Sequence, residues 1–180
     1  IIMDKIYTAL GLMSGTSMDG IDASIISSDG DREYSVIGDK YYKYDEKFRD
    51  DLFHVRSKIL TNEDLTSFKT EIEALERELT LLHANAANDI IKKNGLNIDF
   101  IGFHGHTLFH DSKKKISKQI GDGNLLSQLC NKDVIYNFRK ADIENGGEGA
   151  PLTPIFHNAI VNKYLKNEFN KFDSINILNI

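Results

Sequence analysis

The hydrophobic period of this chain first changes near position 45, and that change constrains the fold more than any other feature. Before it lie three short apolar runs. Ile6–Met13 reads as a buried strand, Ile21–Ser27 as a second, and Tyr34–Ile37, extendable through "KYYKY", as a third. Turn chemistry separates them at Ser14–Gly20 and again at Ser27–Asp31, so the three form an antiparallel meander. After it, Phe48, Leu52, Val55 and Ile59 mark one face of a helix. Thr61 and Asn62 offer an N-cap for the next helix, with Glu63 and Asp64 in its first turn. Leu65, Phe68, Ile72, Leu75, Leu79, Leu82, Ala86 and Ile90 continue the stripe to a stop at Asn94-Gly95. The pattern predicts one unbroken helix over that length.

Strand-like runs then alternate with helical ones. "IDFIGF" at Ile98–Phe103 reads as a buried strand, and "SKQIGDG" as a short strand and turn. Leu125–Leu129 reads as a helix, Val134–Phe138 as a strand and Pro151–Lys166 as a helix. "INILNI" at the end reads as one more strand. Counting the long helical region as one crossover, the order is β-β-β-α-β-α-β-α-β. A meander followed by alternation argues for an α/β fold with a mixed sheet.

Composition narrows the partners. The formal charge is −5, and the basic run Lys113-Lys114-Lys115 reads as a solvated loop, so nucleic acid is not an expected partner. Cys130 is the single cysteine, which precludes an internal disulfide and suits a reducing compartment. No apolar stretch is long enough to span a bilayer as a helix. "IYTALGLM" continues into "IDASIIS" without a small-residue cleavage site and is not read as a signal segment. Met3 is a candidate start position.

Four stretches carry candidate chemistry. In "GLMSGTSMDGID", Gly11–Asp22, the residues Ser14, Gly15, Thr16, Ser17 and Gly20 can offer N–H and hydroxyl groups to phosphate oxygens, and Asp19 can hold a metal ion through water. A P-loop is rejected, because Ile21 and Asp22 stand where Lys and Ser/Thr are needed and the turn enters a strand. Chemistry alone leaves a phosphate cradle and a plain hairpin turn both open. "IGFHGHTLFHD" contains His104, His106, His110 and Asp111. In an extended stretch residues two and four apart share a face, so these four are a candidate zinc site. A strand-end loop of hydrogen-bonded imidazoles is preferred, because no H-E-x-x-H or cysteine partner accompanies them. "QIGDGNLLS" places Asp122 at a turn before a helix, either against a polar ligand or as a cap. "NFRKADIENGGEGAPL", Asn137–Leu152, leaves a strand, passes Arg139 and Asp142 through a glycine loop and enters a helix. Asp142 there can be a general base or a loop-capping carboxylate.

The opening loop, the "FHGHT" and "QIGD" segments and "FRKADIENGGEGAPL" together resemble the anhydro-N-acetylmuramic acid kinase family, a branch of the actin, sugar-kinase and heat-shock-chaperone ATPase superfamily. His106 stands where that family has glutamine, Ser112 where proline is common and Glu148 where glutamine is usual. The resemblance implies an actin-like, ribonuclease H-like domain whose first hairpin turn cradles ATP. It implies ATP and Mg²⁺ as cofactors, an anhydro amino sugar as substrate, a cytoplasmic location, no nucleic-acid or membrane partner, and a homodimer as one open assembly. By position it implies Asp142 as catalytic base, Gly15, Thr16, Ser17, Met18, Asp19, Gly20, Ile21 and Asp22 around ATP, and Asp19 toward the metal through water. Ser14, His104, Gly105, Asp122 and Arg139 are implied on the sugar.

The same resemblance sets an expectation for organisation. Residues 1–172 form a first ATPase-fold domain, and 173–180 begin a similar second domain that would hold the other wall of a nucleotide cleft. The chain alone is then expected to be an inactive half. Two other classes stay open: a non-catalytic ATPase-fold binding module, and a metal-dependent hydrolase built on His104, His106 and His110.

Overall fold

The computed structural model describes residues 5–31 and 33–165; the terminal strand expected in "INILNI" lies outside them. Three strands open the chain: β1 (Tyr7–Ser14), β2 (Gly20–Ser28) and β3 (Tyr34–Lys43). β2 pairs antiparallel with both neighbours, as a meander requires, with Leu12 opposite Ala23 and Ile25 opposite Gly38. Alternation sorts their side chains. Leu10, Leu12, Ile21, Ala23 and Ile25 are buried on one face, while Gly11, Met13 and Asp22 point to the other.

Helices α1 (Glu46–Lys58), α2 (Asn62–Ser67) and α3 (Lys69–Asn94) follow. Asp45 caps α1 by accepting the Phe48 N–H at 2.8 Å. Thr61 and Asp64 form a reciprocal capping box at the start of α2. The single long helix expected from the stripe is broken at Phe68, whose φ of −105° and ψ of 24° depart from helical values. Phe68 packs partly buried against the core there, so one tertiary contact interrupts a stripe that periodicity carries straight through. Gly95 closes α3 in the left-handed conformation, at φ 62°.

The chain then enters β4 (Phe100–Asp111), which is longer than expected and forms a hairpin with β5 (Ile116–Ile120). The histidine-rich segment is therefore strand, not a strand-end loop. Helix α4 (Gly123–Cys130) leads to β6 (Asp133–Tyr136). β6 stops at Tyr136, and Asn137, at φ 60°, turns the chain directly into α5 (Phe138–Glu144), where a loop was expected. α6 (Pro154–Leu165) is the last described element.

The sheet runs β3-β2-β1-β4-β5, with β6 beside the first half of β4. β1, β4 and β6 are parallel neighbours. Helices α1, α3 and α4 cover one face, where Phe48, Leu52, Leu79, Ile90 and Leu126 meet the sheet residues. α5 and α6 lie toward the other face, where Phe156 meets Tyr34 with ring centroids 5.1 Å apart. Among the described residues no helix is long and apolar enough to cross a membrane.

Candidate active site

The carboxyl ends of three parallel strands come together at one edge of the sheet. Ser14 pairs with His106, Met13 with Gly105, and Phe103 with Tyr136. In α/β sheets this is where ligands bind. The β1–β2 turn closes the edge on one side. Its backbone is tight: the Met18 N–H donates to the Gly15 carbonyl at 3.1 Å, and Met18 sits at φ 56°. The Ser17 hydroxyl donates to the Asp19 carboxylate. That bond, with a smaller contribution from the Tyr41 phenol, holds the Asp19 carboxyl below the usual carboxylate range. Among the described residues the Thr16 and Ser17 N–H groups have no backbone partner. The turn is thus both a hairpin and a source of free donors beside an ionised carboxylate. Ile21 is 2% exposed with its side chain in the core, so only its backbone faces the edge. Asp22 is exposed on the open face, beside Gly102 and His104 in a groove of about 710 Å³.

A second set of residues closes the edge opposite the turn. Arg139 Nε donates to His104 Nε2 at 3.1 Å, and Nη1 donates to the Gly149 carbonyl at 2.7 Å. Since arginine only donates, His104 carries its proton on Nδ1, which lies 3.1 Å from the Gly105 carbonyl. Burial, and then the Arg139 charge, lower the His104 pKa. The Gly149 N–H donates to Asp142 Oδ2 at 2.7 Å, and the Gly147 N–H to the Asp142 carbonyl at 2.9 Å. One hydrogen-bonded path therefore links His104, Arg139, the glycine loop and Asp142. A Cβ on Gly147 would stand 2.2 Å from the Asp142 carboxylate, so the loop closes around that group only with glycine there. Asp142 Oδ1 has no hydrogen-bond partner among the described residues.

The histidines do not form one cluster. The β1–β4 register shifts between Leu12 and Met13, leaving His104 as the bulged residue, and Gly105 adopts φ 68°. The bulge resets the alternation. His104 lies on the open face with Gly102, while His106 turns into the helix-covered face, 1% exposed. His106 Nδ1 lies 3.2 Å from the Ser14 hydroxyl. His110, on the exposed end of β4, pairs with the Ser117 hydroxyl at 3.1 Å. Among the described residues no three histidine, cysteine or acidic side chains are grouped to hold a metal. The zinc-hydrolase alternative loses its site, because the rule that residues two apart share a face fails across a bulge.

Asp122 is the N-cap of α4, its Oδ1 accepting from Asn124 and Leu125 at 2.9 and 3.0 Å. The turn around it is anchored to α3, where Glu76 accepts the Gly121 N–H and Thr80 the Asp122 N–H.

Sequence reasoning passed over two residues beside the β1–β2 turn, Tyr41 and Tyr44, and one in the core, His83. Tyr41 reaches Asp19, a contact readable only once Asp22 and Tyr41 are known to be cross-strand partners. Tyr44 donates its N–H to the Asp19 carbonyl at 2.9 Å and buries its phenol oxygen without a hydrogen bond among the described residues. His83 lies fully buried in α3 with Nδ1 on the Leu79 carbonyl and Nε2 without a partner among the described residues, its ring 5.0 Å from that of Phe103. Burial lowers the pKa of both His83 and His106 to about 4.

Residues 7–177 match the family described as anhydro-N-acetylmuramic acid kinase. A protein of that name from Pelagibacter ubique is 56% identical over 161 residues, covering 89% of this chain and 43% of its own length. One from Gluconobacter oxydans is 42% identical over 159 residues, covering 88% of this chain and 43% of the relative. One from Rhizobium etli is 39% identical over 166 residues, covering 90% and 45%. The chain spans less than half the length of these relatives. On the strength of a match that runs through every strand and helix described above, the chain belongs to the anhydro-N-acetylmuramic acid kinase family.

Proposed function

We propose that this chain supplies the phosphate loop and the general base of an ATP-dependent kinase, one that converts 1,6-anhydro-N-acetylmuramic acid and water to N-acetylmuramic acid 6-phosphate and ADP. The observation that carries the reading is the seating of Asp142. Its Oδ2 is tied to the Gly149 N–H and its Oδ1 has no partner among the described residues, at the end of a hydrogen-bonded path from the strand edge. A carboxylate held on one oxygen and open on the other suits proton abstraction from a bound water.

In this reading Asp142 takes a proton from water as the water oxygen bonds to the anomeric carbon. The bond from that carbon to the bridging 6-oxygen breaks, and the 6-oxygen bonds to the γ-phosphorus as the bond to the β-phosphate oxygen breaks. Gly15–Asp22 lie along the ATP phosphates, with the Thr16 and Ser17 N–H groups directed to them. Catalysis by positioning and charge neutralisation is the general pattern for phosphoryl transfer. Asp19, ionised and exposed, suits a magnesium ion held through water, and the ion would supply countercharge to the phosphates. His104, Gly105 and Arg139 face the sugar, and Ser14 supports the turn behind it. A cytoplasmic setting fits a substrate that carries no membrane anchor.

The test is Asp142→Asn in the protein that carries this sequence. Asparagine retains an oxygen for the Gly149 N–H but is not a base, so turnover is expected to fall by about 10²–10⁴-fold with little change in ATP affinity. Unchanged turnover would remove Asp142 from the role.

A further inference from the structure

Behind the β1–β2 turn, on the helix-covered side, lies a second and smaller cavity of about 230 Å³. It is lined by Thr16, Met18, Phe53, Arg56, Ser57 and His106. Thr16 belongs to the turn already described. Arg56 and Ser57 come from the last turn of α1, which brings its carboxyl end against the turn.

The charge of this cavity is unusual for the molecule around it. The chain carries a net charge of −5, yet no carboxylate lines the cavity. Arg56 is half-buried and makes no ion pair or side-chain hydrogen bond among the described residues. Two of the acidic residues of α1 are taken elsewhere, Asp51 pairing with Lys47 at 2.8 Å and Asp50 with Arg49 at 3.8 Å, and the third, Glu46, stands at the opposite end of the helix. The imidazole of His106, which shares the cavity, is neutral at ordinary pH, so Arg56 is its one formal charge. A guanidinium left without a counter-charge, across a small space from the Thr16 N–H, is arranged for an oxyanion, because its planar fork matches a carboxylate or phosphate with two parallel hydrogen bonds; the Ser57 hydroxyl beside it already donates to the His54 carbonyl at 2.8 Å.

We propose that Arg56 is a specificity-determining residue that binds an oxyanion in this cavity, with Thr16 as an accessory donor. This rests on the kinase reading above, which brings two such groups to the turn: the carboxylate of the acceptor sugar acid and the terminal phosphate of the nucleotide. Both present the same chemistry to Arg56, and a cavity of about 230 Å³ is large enough for either group.

The experiment uses the natural protein carrying this sequence, with Arg56→Gln and Arg56→Lys variants. Initial rates are measured with 1,6-anhydro-N-acetylmuramic acid and with 1,6-anhydro-N-acetylglucosamine, which lacks the carboxylate arm, each across a range of ATP. Binding of inorganic phosphate and of D-lactate is followed by titration calorimetry. If the acceptor carboxylate is the ligand, Arg56→Gln raises KM for the acid acceptor by about 10–100-fold, leaves KM for ATP unchanged and abolishes the preference over the neutral sugar. If the terminal phosphate is the ligand, KM for ATP rises instead and the acceptor preference stays. Arg56→Lys, which keeps the charge but loses the fork, falls between wild type and Arg56→Gln in either case. Wild-type KM values for both substrates and unaltered phosphate and lactate binding in Arg56→Gln would overturn the proposal. A wild-type protein inactive on the anhydro sugar would instead defeat the kinase reading, and Arg56 would then be judged by the phosphate and lactate titrations alone: loss of either in Arg56→Gln supports the oxyanion site, and no change overturns it.

Discussion

His104 and His106 are two residues apart on one strand and face opposite sides of the sheet. The bulge that separates them sends one imidazole to Arg139 and the other to Ser14. One three-residue segment therefore braces both sides of the candidate site: the glycine loop through Arg139 and the β1–β2 turn through Ser14.

That division depends on Gly105. It sits at φ 68°, and a Cβ there would stand 2.2 Å from the Ile120 carbonyl oxygen. Gly105→Ala is expected to destabilise the fold by about 2–4 kcal/mol, combining positive-φ strain with a backbone clash. Urea denaturation measures it, and a loss under about 0.5 kcal/mol, the usual range for a neutral surface change, would contradict the account.

The closure of the glycine loop on Asp142 is testable without touching the carboxylate. Gly147→Ala pushes a methyl group into the space 2.2 Å from Asp142 Oδ2. Displacing the base by a fraction of an ångström is expected to cost about 10²-fold in kcat under the proposed reaction. The accompanying stability loss should be about 1–2 kcal/mol, since the loop is a surface feature. Equal kcat in wild type and variant would show that Asp142 does not need that seat.

Stability should fall in mild acid. His83 and His106 have folded-state pKa values near 4, against about 6.5 for an unperturbed histidine, because burial disfavours the charged ring. The unfolded chain therefore binds more protons between pH 6.5 and 4. Stability is at its full value above about pH 6.5 and is lost as pH falls toward 4, by on the order of 3 kcal/mol per histidine. Denaturation at pH 7.5, 6 and 5 measures the slope. His83→Phe should flatten it, and a wild-type profile already flat over this range would refute the assignment.

The helix-covered face holds most of the fold together. Leu52 is fully buried between α1 and the sheet, so Leu52→Ala is expected to cost about 2–5 kcal/mol. The exposed neighbour Phe53 is a control on the same helix: truncating it should cost well under half as much, because it is 61% exposed. Comparable losses at the two positions would mean that α1 packs differently.

Elements whose evidence is local were legible in the sequence. The meander follows from three apolar runs separated by turn chemistry, α3 from a stripe ended by Asn94-Gly95, and the start of α2 from the Thr61-Asn62 cap with Glu63 and Asp64 in its first turn. So were the turn at Gly15–Asp19 and the two motifs around His104 and Asp142. The break at Phe68, the β4–β5 hairpin and α5 were not. Phe68 leaves the helix for a core contact made by distant residues. β4 runs on past Phe103 because β5 returns to pair with it. α5 begins where Asn137 takes a left-handed turn that asparagine permits but does not demand.

The division has one physical cause. Periodicity, capping and turn chemistry act between residues a few positions apart, and they determined most of the strands and helices and the face each buries, while the quoted motifs carried the resemblance to the family. Register acts between strands far apart in sequence. Register decided that Ser14 lies against His106 and that His104 is bulged toward Arg139, and the packing of α1 brought Arg56 into one cavity with Thr16. A one-residue shift in pairing reverses the face of every following side chain, so composition and spacing can name the residues of the site while only the folded sheet assigns them to its two sides.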